Sequence, residues 1–132
     1  MQNNINALKQ EYEAFLKYIK SRVEADEISI LYITRENDYI HYGKINHGVR
    51  EDVGIIKMTD ENSLKTLYEL LKTEFSSLFS YGSKHTFGMG WSLYPTISDN
   101  ILIEIESNSS ADEIWFYEEV QKNREINAPK SK

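Results

Sequence analysis

Cysteine is absent from the 132-residue chain, which excludes disulfides, thiolate metal sites, iron–sulfur clusters and a cysteine nucleophile together. Proline occurs twice and glycine six times, and no low-complexity tract, internal repeat or interdomain linker is present. No stretch approaches 18 consecutive apolar residues, and the start, MQNNINALKQ, has neither a charged segment leading into an apolar core nor a small-residue cleavage site. Membrane spanning and classical secretion are not expected, and a cytoplasmic location is. At 40% apolar residues the chain suffices for one compact domain and is too short for two ordinary ones. We expect a single domain over residues 1–123 and a disordered tail over 124–132, where Pro129 and scattered charge leave little to bury.

Catalytic and cofactor motifs are missing as well. The histidines are His41, His47 and His85, with no HExxH or comparable ligand spacing, so no metal site is expected. There is no GxSxG elbow. Gly88-Met89-Gly90 opens a GxG, but Leu93 stands where a dinucleotide fingerprint needs its third glycine. No cofactor and no enzymatic activity are expected.

Positive charge is missing locally: no Lys or Arg occurs from His85 to Gln121. Fifteen basic against twenty-one acidic residues give −6 overall, yet Asp99, Glu104, Glu106, Asp112, Glu113, Glu118 and Glu119 place −7 in residues 99–119. The remainder is nearly neutral. Such a field repels nucleic acid, whose phosphates require clustered Lys and Arg, and attracts cationic partners.

What is present is strong periodicity. Ile5, Leu8, Tyr12, Phe15, Leu16, Ile19 and Val23 recur every three or four residues, predicting a helix over 4–24. A β-branched and aromatic run from Ile28 predicts a strand, Glu36-Asn37-Asp38 a turn, and residues 39–45 a second strand. A loop over 46–51 then leads to a third strand at 53–58. Thr59 or Asp60 can cap a second helix carrying Leu64, Leu67, Tyr68, Leu71, Phe75, Leu78 and Phe79, which should close at Tyr81-Gly82. Residues 86–93 alternate large and small side chains, predicting a strand with Phe87, Met89, Trp91 and Leu93 toward the core. A loop over 94–100 and a strand with Ile101, Ile103 and Ile105 inward follow. Ser110 and Glu113 have capping-box spacing at the start of a third helix ending near Lys122. The order α-β-β-β-α-β-β-α predicts an α+β domain with a mainly antiparallel sheet of about five strands and three helices on one face.

At 100° per residue, Ile114, Phe116, Tyr117 and Val120 fall on the expected inner side of the third helix, with Asp112, Trp115, Glu118 and Glu119 on the outer arc. A tryptophan among carboxylates suits a protein interface, the ring supplying affinity and the charges steering. With Glu104 and Glu106 from the preceding strand, these residues form the candidate docking patch for a basic protein.

In size, architecture and one-sided charge, most of all in the basic-residue-free segment 85–121 and the acidic helix 112–119, the chain resembles the immunity proteins of contact-dependent growth inhibition and related polymorphic bacterial toxin systems. That resemblance implies a cytoplasmic antitoxin that binds a cognate toxin domain, often a basic nuclease, and occludes its working surface. Two alternatives stand beside it. One is an adaptor that self-associates through a sheet edge or face; the other is a small enzyme or ligand-binding domain with Glu104, Glu106, His41 and His85 around a pocket on a helix-free sheet face.

Overall fold

A computed structural model describes residues 2–58, 64–78, 80, 83–86, 90–107 and 109–127, with the backbone alone for 2–9, 83–86, 90, 91, 110 and 125–127. It is an α+β domain whose elements run α1 (Gln2–Ala25), β1 (Ser29–Glu36), β2 (Tyr39–Asn46), β3 (Val49–Lys57), α2 (Leu64–Glu74), β4 (Ser83–Thr86), β5 (Gly90–Leu93), β6 (Thr96–Ser98), β7 (Ile101–Ser107) and α3 (Ser110–Asn127). The strands form one sheet in the order β3-β2-β1-β7-β5-β4, with β6 also beside β7. Antiparallel pairing dominates, and β1–β7 is the parallel pair.

Turn chemistry sets the N-terminal meander. Asp26 closes α1 in the left-handed conformation, its N–H donating to the Val23 carbonyl at 3.1 Å. Asn37 takes positive φ between β1 and β2, and His47 and Gly48 both do so between β2 and β3, as the two-residue turns of twisted hairpins require. The expected loop over 46–51 therefore shrinks to His47-Gly48, and β3 begins at Val49. Val49 to Val53 are exposed on this edge strand, so they lack the one-sided apolar alternation by which a strand is recognised.

The C-terminal strands differ more from expectation. Residues 86–93 are divided between two strands, β4 and β5, that pair from Ser83↔Leu93 to Thr86↔Gly90. Alternation holds equally for one long strand or two strands of a hairpin, so period alone does not place a break. The expected large side of this run at Phe87, Met89 and Trp91 lies outside the described side chains. Within 94–100 there is a further strand, β6, which continues the line of β5 along β7 after an interruption at Tyr94-Pro95. Pro95 has no N–H to donate, but its carbonyl accepts from Ile103 N–H at 2.8 Å.

All three helices pack on one sheet face. Strand register aligns Leu31 and Ile33 with Ile103 and Ile105, and Ile40 and Tyr42 with Ile56 and Gly54. Phe15 and Ile19 of α1, Leu64, Leu67, Tyr68 and Leu71 of α2, and Trp115, Phe116 and Val120 of α3 complete that core. Full burial of each large side chain contributes roughly 1.5–3 kcal/mol before entropic costs. Helix α2 ends at Glu74 rather than at Tyr81-Gly82. Ser77, which helical continuation would need, donates its hydroxyl to the Ile97 carbonyl of β6 instead. The expected caps at Thr59 or Asp60 lie outside the described residues. Helix α3 continues past Lys122 to Asn127, and residues 128–132 of the expected tail are likewise outside the description. Among the described residues no helix is long and apolar enough to cross a membrane.

Two glycines mark close approaches between β2 and β3. A Cβ on Gly54 would strike the Tyr42 ring, and one on Gly43 would strike the Glu51 carbonyl at the bulge where the register shifts. Gly54→Ala should lower stability by about 1–3 kcal/mol, the usual cost of overpacking. Urea denaturation of the variant beside the parent checks this.

Candidate functional site

The strands alternate, so burying one face beneath the helices presents the other outward. That second face carries Ile30, Tyr32, Thr34 and Glu36 of β1, Tyr39, His41 and Ile45 of β2, Arg50, Asp52, Ile55 and Lys57 of β3, and Leu102, Glu104 and Glu106 of β7. No described helix covers it, yet Tyr32, Thr34 and Glu106 are buried there.

Arg50 provides their cover. Its guanidinium carbon lies 5.1 Å from the Tyr32 ring centroid, its Nη1 donates to Thr34 Oγ1 at 3.2 Å, and it is ion-paired with Glu106. One long side chain from the edge strand thus crosses the sheet, its stem shielding apolar surface while its charged head neutralises the β7 carboxylate. Tyr32, Gly43 and Asp52 occupy one row across β1, β2 and β3. The Tyr32 hydroxyl donates to Asp52 Oδ1, and the other Asp52 oxygen lies 3.4 Å from His41 Nδ1. Tyr32, Thr34, Glu36, His41, Arg50 and Asp52 line a recess of about 250 Å³.

This is a polar centre on the face away from the helices. Thr34 and His41 are cross-strand neighbours, and Glu106 lies beside Thr34 on the other flank. His41 and Glu106 of the four-residue enzyme pocket are therefore in one row, and Glu104 lies one row along; the His85 side chain is outside the described residues. Among the described residues no three His, Asp or Glu converge as metal ligands.

The expected patch on α3 is rearranged. Asp112, Trp115 and Glu119, expected outside, are only 6, 9 and 5% exposed, whereas Ile114 and Tyr117, expected inside, are 63 and 61% exposed. The wheel ranks residues by hydropathy, but here carboxylates face inward because cations meet them. Asp112 Oδ2 accepts from Arg35 at 3.0 Å and from Ser107 Oγ at 2.5 Å. Lys72 Nζ donates to Glu119 at 2.8 Å. Trp115 packs edge-on to Tyr68 at a centroid separation of 5.1 Å, so its ring belongs to the core margin and is no exposed anchor.

Trp115, Glu118 and Glu119 do share a groove of about 720 Å³ between α2 and α3. Lys65, Lys72 and Lys122 also line it, against Glu69, Glu118 and Glu119, so its charge is balanced. Glu104 and Glu106 are on the opposite side of the sheet, and Asp112 is tied to Arg35. The six residues form no common surface.

No family model, curated protein or solved structure matches this chain. The site is therefore read from its own geometry. Sequence reasoning missed Arg50 and Asp52 because one fell in the predicted loop and the other just before the predicted strand. The signal that could have found them was His47-Gly48, a pair suited to a tight turn, which would have started β3 early enough to place Arg50 and Asp52 on one face.

Removing Arg50 would strand Glu106 in a buried position. Arg50→Ala should cost about 2 kcal/mol, less than a fully buried pair because the guanidinium side chain is 34% exposed. Adding Glu106→Gln should recover part of that loss, which a double-mutant cycle in urea measures.

The Tyr32 phenol is raised above its ordinary pKa of 10.0, first by burial and then by its bond to Asp52. Burial likewise raises Tyr68, Tyr18 and Tyr42. The folded state keeps these protons longer than the unfolded chain, so their stabilisation is complete below pH about 10 and lost as pH rises through the folded values. Urea midpoints should fall above that pH, and less steeply in Tyr32→Phe.

Proposed function

We propose that the protein is an immunity protein that binds a cognate toxin domain and neutralises it by covering the toxin's working surface with the helix-free face of this sheet. In this reading it acts in the cytoplasm, by binding alone and without a cofactor, on a basic partner such as a nuclease. The observation that carries the proposal is the composition of that face. Exposed Ile30, Tyr39 and Ile55 flank a centre where Glu36, Asp52, Glu104 and Glu106 outnumber Arg50 and Lys57 four to two. Apolar anchors would supply the desolvated contact, and the surplus carboxylates would steer a cationic domain and compete with nucleic-acid phosphate for its Lys and Arg.

Self-association through the β3 edge is less well supported, because the bulge between β2 and β3 interrupts the regular ladder that edge pairing needs. The face, rather than the edge, is the proposed contact.

Co-expression with the product of the adjacent gene should yield a stoichiometric complex that protects cells from that product. Tyr39→Ala with Ile55→Ala should weaken the complex by about tenfold or more, and association should slow as salt is added. If that pair leaves affinity unchanged while Tyr117→Ala and Glu118→Gln on the helical side abolish binding, the assignment to the sheet face is wrong.

A further inference from the structure

We infer that a second copy of this chain docks on the groove between α2 and α3, the two α3 helices lying antiparallel about a two-fold axis. This contact is on the helical side of the domain, away from the sheet face proposed for the toxin, so it goes beyond that reading and does not depend on it.

Net charge decides which face two copies can share. A chain of −6 repels its own kind, and the sheet face, with Glu36, Asp52, Glu104 and Glu106 against Arg50 and Lys57, would bring surplus carboxylates together. The groove is balanced, with Lys65, Lys72 and Lys122 against Glu69, Glu118 and Glu119. Four of these charges are matched within one molecule, since Lys72 bonds to Glu119 at 2.8 Å and Lys65 lies 4.0 Å from Glu69. Glu118 and Lys122 are left over. They stand one turn apart on α3, both exposed and both in the groove lining, yet among the described residues neither has an ion-pair partner.

A two-fold axis requires a self-complementary surface, on which a residue of one copy meets a second residue of the other and the reverse. Antiparallel α3 helices centred between these two positions place Glu118 of each copy against Lys122 of the other, closing two ion pairs that the monomer leaves open. The apolar part of the contact lies beside them. Ile114 and Tyr117, three residues apart and so on one side of the helix, are exposed, and Tyr117 lines the groove together with Trp115. Each copy's Tyr117, entering the other's groove of about 720 Å³, gains an aromatic neighbour in Trp115 and is withdrawn from water.

The test is sedimentation-velocity ultracentrifugation of the full chain over a wide range of concentration, where a reversible monomer–dimer equilibrium is expected. Glu118→Lys alone and Lys122→Glu alone should each weaken the dimer by about tenfold, because each replaces two attractive contacts with two repulsive ones. Combined, the two substitutions exchange the charges and should restore the parent affinity. A general charge effect behaves differently: Glu118→Lys lowers the net negative charge and Lys122→Glu raises it, which would move association in opposite directions. Tyr117→Ala should also weaken the dimer by about tenfold. All three side chains are exposed, so at monomeric concentrations the variants should keep the parent's urea midpoint. Tyr39→Ala with Ile55→Ala on the sheet face should leave dimerisation unchanged. A strict monomer, opposite shifts in the two single charge variants, no rescue in the double variant, or a dimer lost with the sheet-face pair would overturn the inference. A strict monomer leaves the toxin reading standing, and failure of the co-expressed toxin complex leaves the dimer untouched.

Discussion

The parallel pairing of β1 with β7 is the contact on which the rest of the structure depends. It runs from Ser29↔Ile101 to Arg35↔Ser107 and joins an N-terminal meander to a C-terminal group of strands that otherwise pair only among themselves. Parallel neighbours need a long crossover, and here the crossover contains β2, β3, α2 and the β4–β6 strands. The pair is located at its start by the Ser29 N–H bond to the Asn100 carbonyl, 2.9 Å, and by Asn100 Nδ2 to Asp26, 2.8 Å. Both halves must therefore be present before the central strands have neighbours on each side, which makes the domain one cooperative unit.

Once that pairing places Leu31 and Ile33 beside Ile103 and Ile105, the alternation of a strand leaves no freedom over the other face. Three helices cover the apolar side, and the opposite side receives Tyr32, Thr34, Glu104 and Glu106 with no described helix above them. An antiparallel or mixed sheet can present one face to water, but these central positions are flanked closely enough to lose solvent. The solution is lateral: Arg50, from the edge, spans the face and satisfies Glu106 and Thr34 at once. The polar centre of the candidate site is thus a consequence of burying the other face, and its residues come from β1, β2, β3 and β7 because those strands lie side by side.

Much of the fold was legible because its clearest signals are local. The helix through Phe15 and Ile19, the turn at Asn37 and the Ile101-Ile103-Ile105 alternation each state their own structure within a few residues. Helix α2 was legible through Leu71, but its end was not, because the competing partner of Ser77 is the carbonyl of Ile97, twenty residues away in sequence. Strand β3 escaped for the opposite reason: an exposed edge shows no apolar alternation to recognise. In α3 the inner face was read in part, Phe116 and Val120 being buried as expected, but it is rotated toward Asp112, Trp115 and Glu119, whose carboxylates are buried by partners that hydropathy does not see. The candidate site was legible only in fragments; His41, Glu104 and Glu106 could be named, but their convergence with Arg50 and Asp52 required the strand order.

The same long-range logic explains the charge asymmetry. Residues 85–121 contain no Lys or Arg, yet three of their carboxylates are buried, each with a cation from the first 72 residues: Asp112 with Arg35, Glu106 with Arg50, and Glu119 with Lys72. A buried carboxylate without its partner is far costlier than an exposed one, so these pairs penalise any arrangement that leaves the two halves of the chain misaligned. Segregating the signs along the sequence has a further effect, because Glu106 and Asp112, in the middle of the segment, have no Lys or Arg close by in the unfolded chain. Much of what looks in sequence like an anionic surface is therefore internal wiring. The charge offered to a partner is the residue left over after that wiring, chiefly Glu36, Asp52 and Glu104 on the open face and Glu118 on α3. Glu118 also has exposed apolar neighbours, Ile114 and Tyr117, but it shares its groove with Lys65, Lys72 and Lys122, whereas on the face that no described helix covers the carboxylates outnumber the cations, which is why the sheet face rather than the acidic helix is the stronger place to look for recognition.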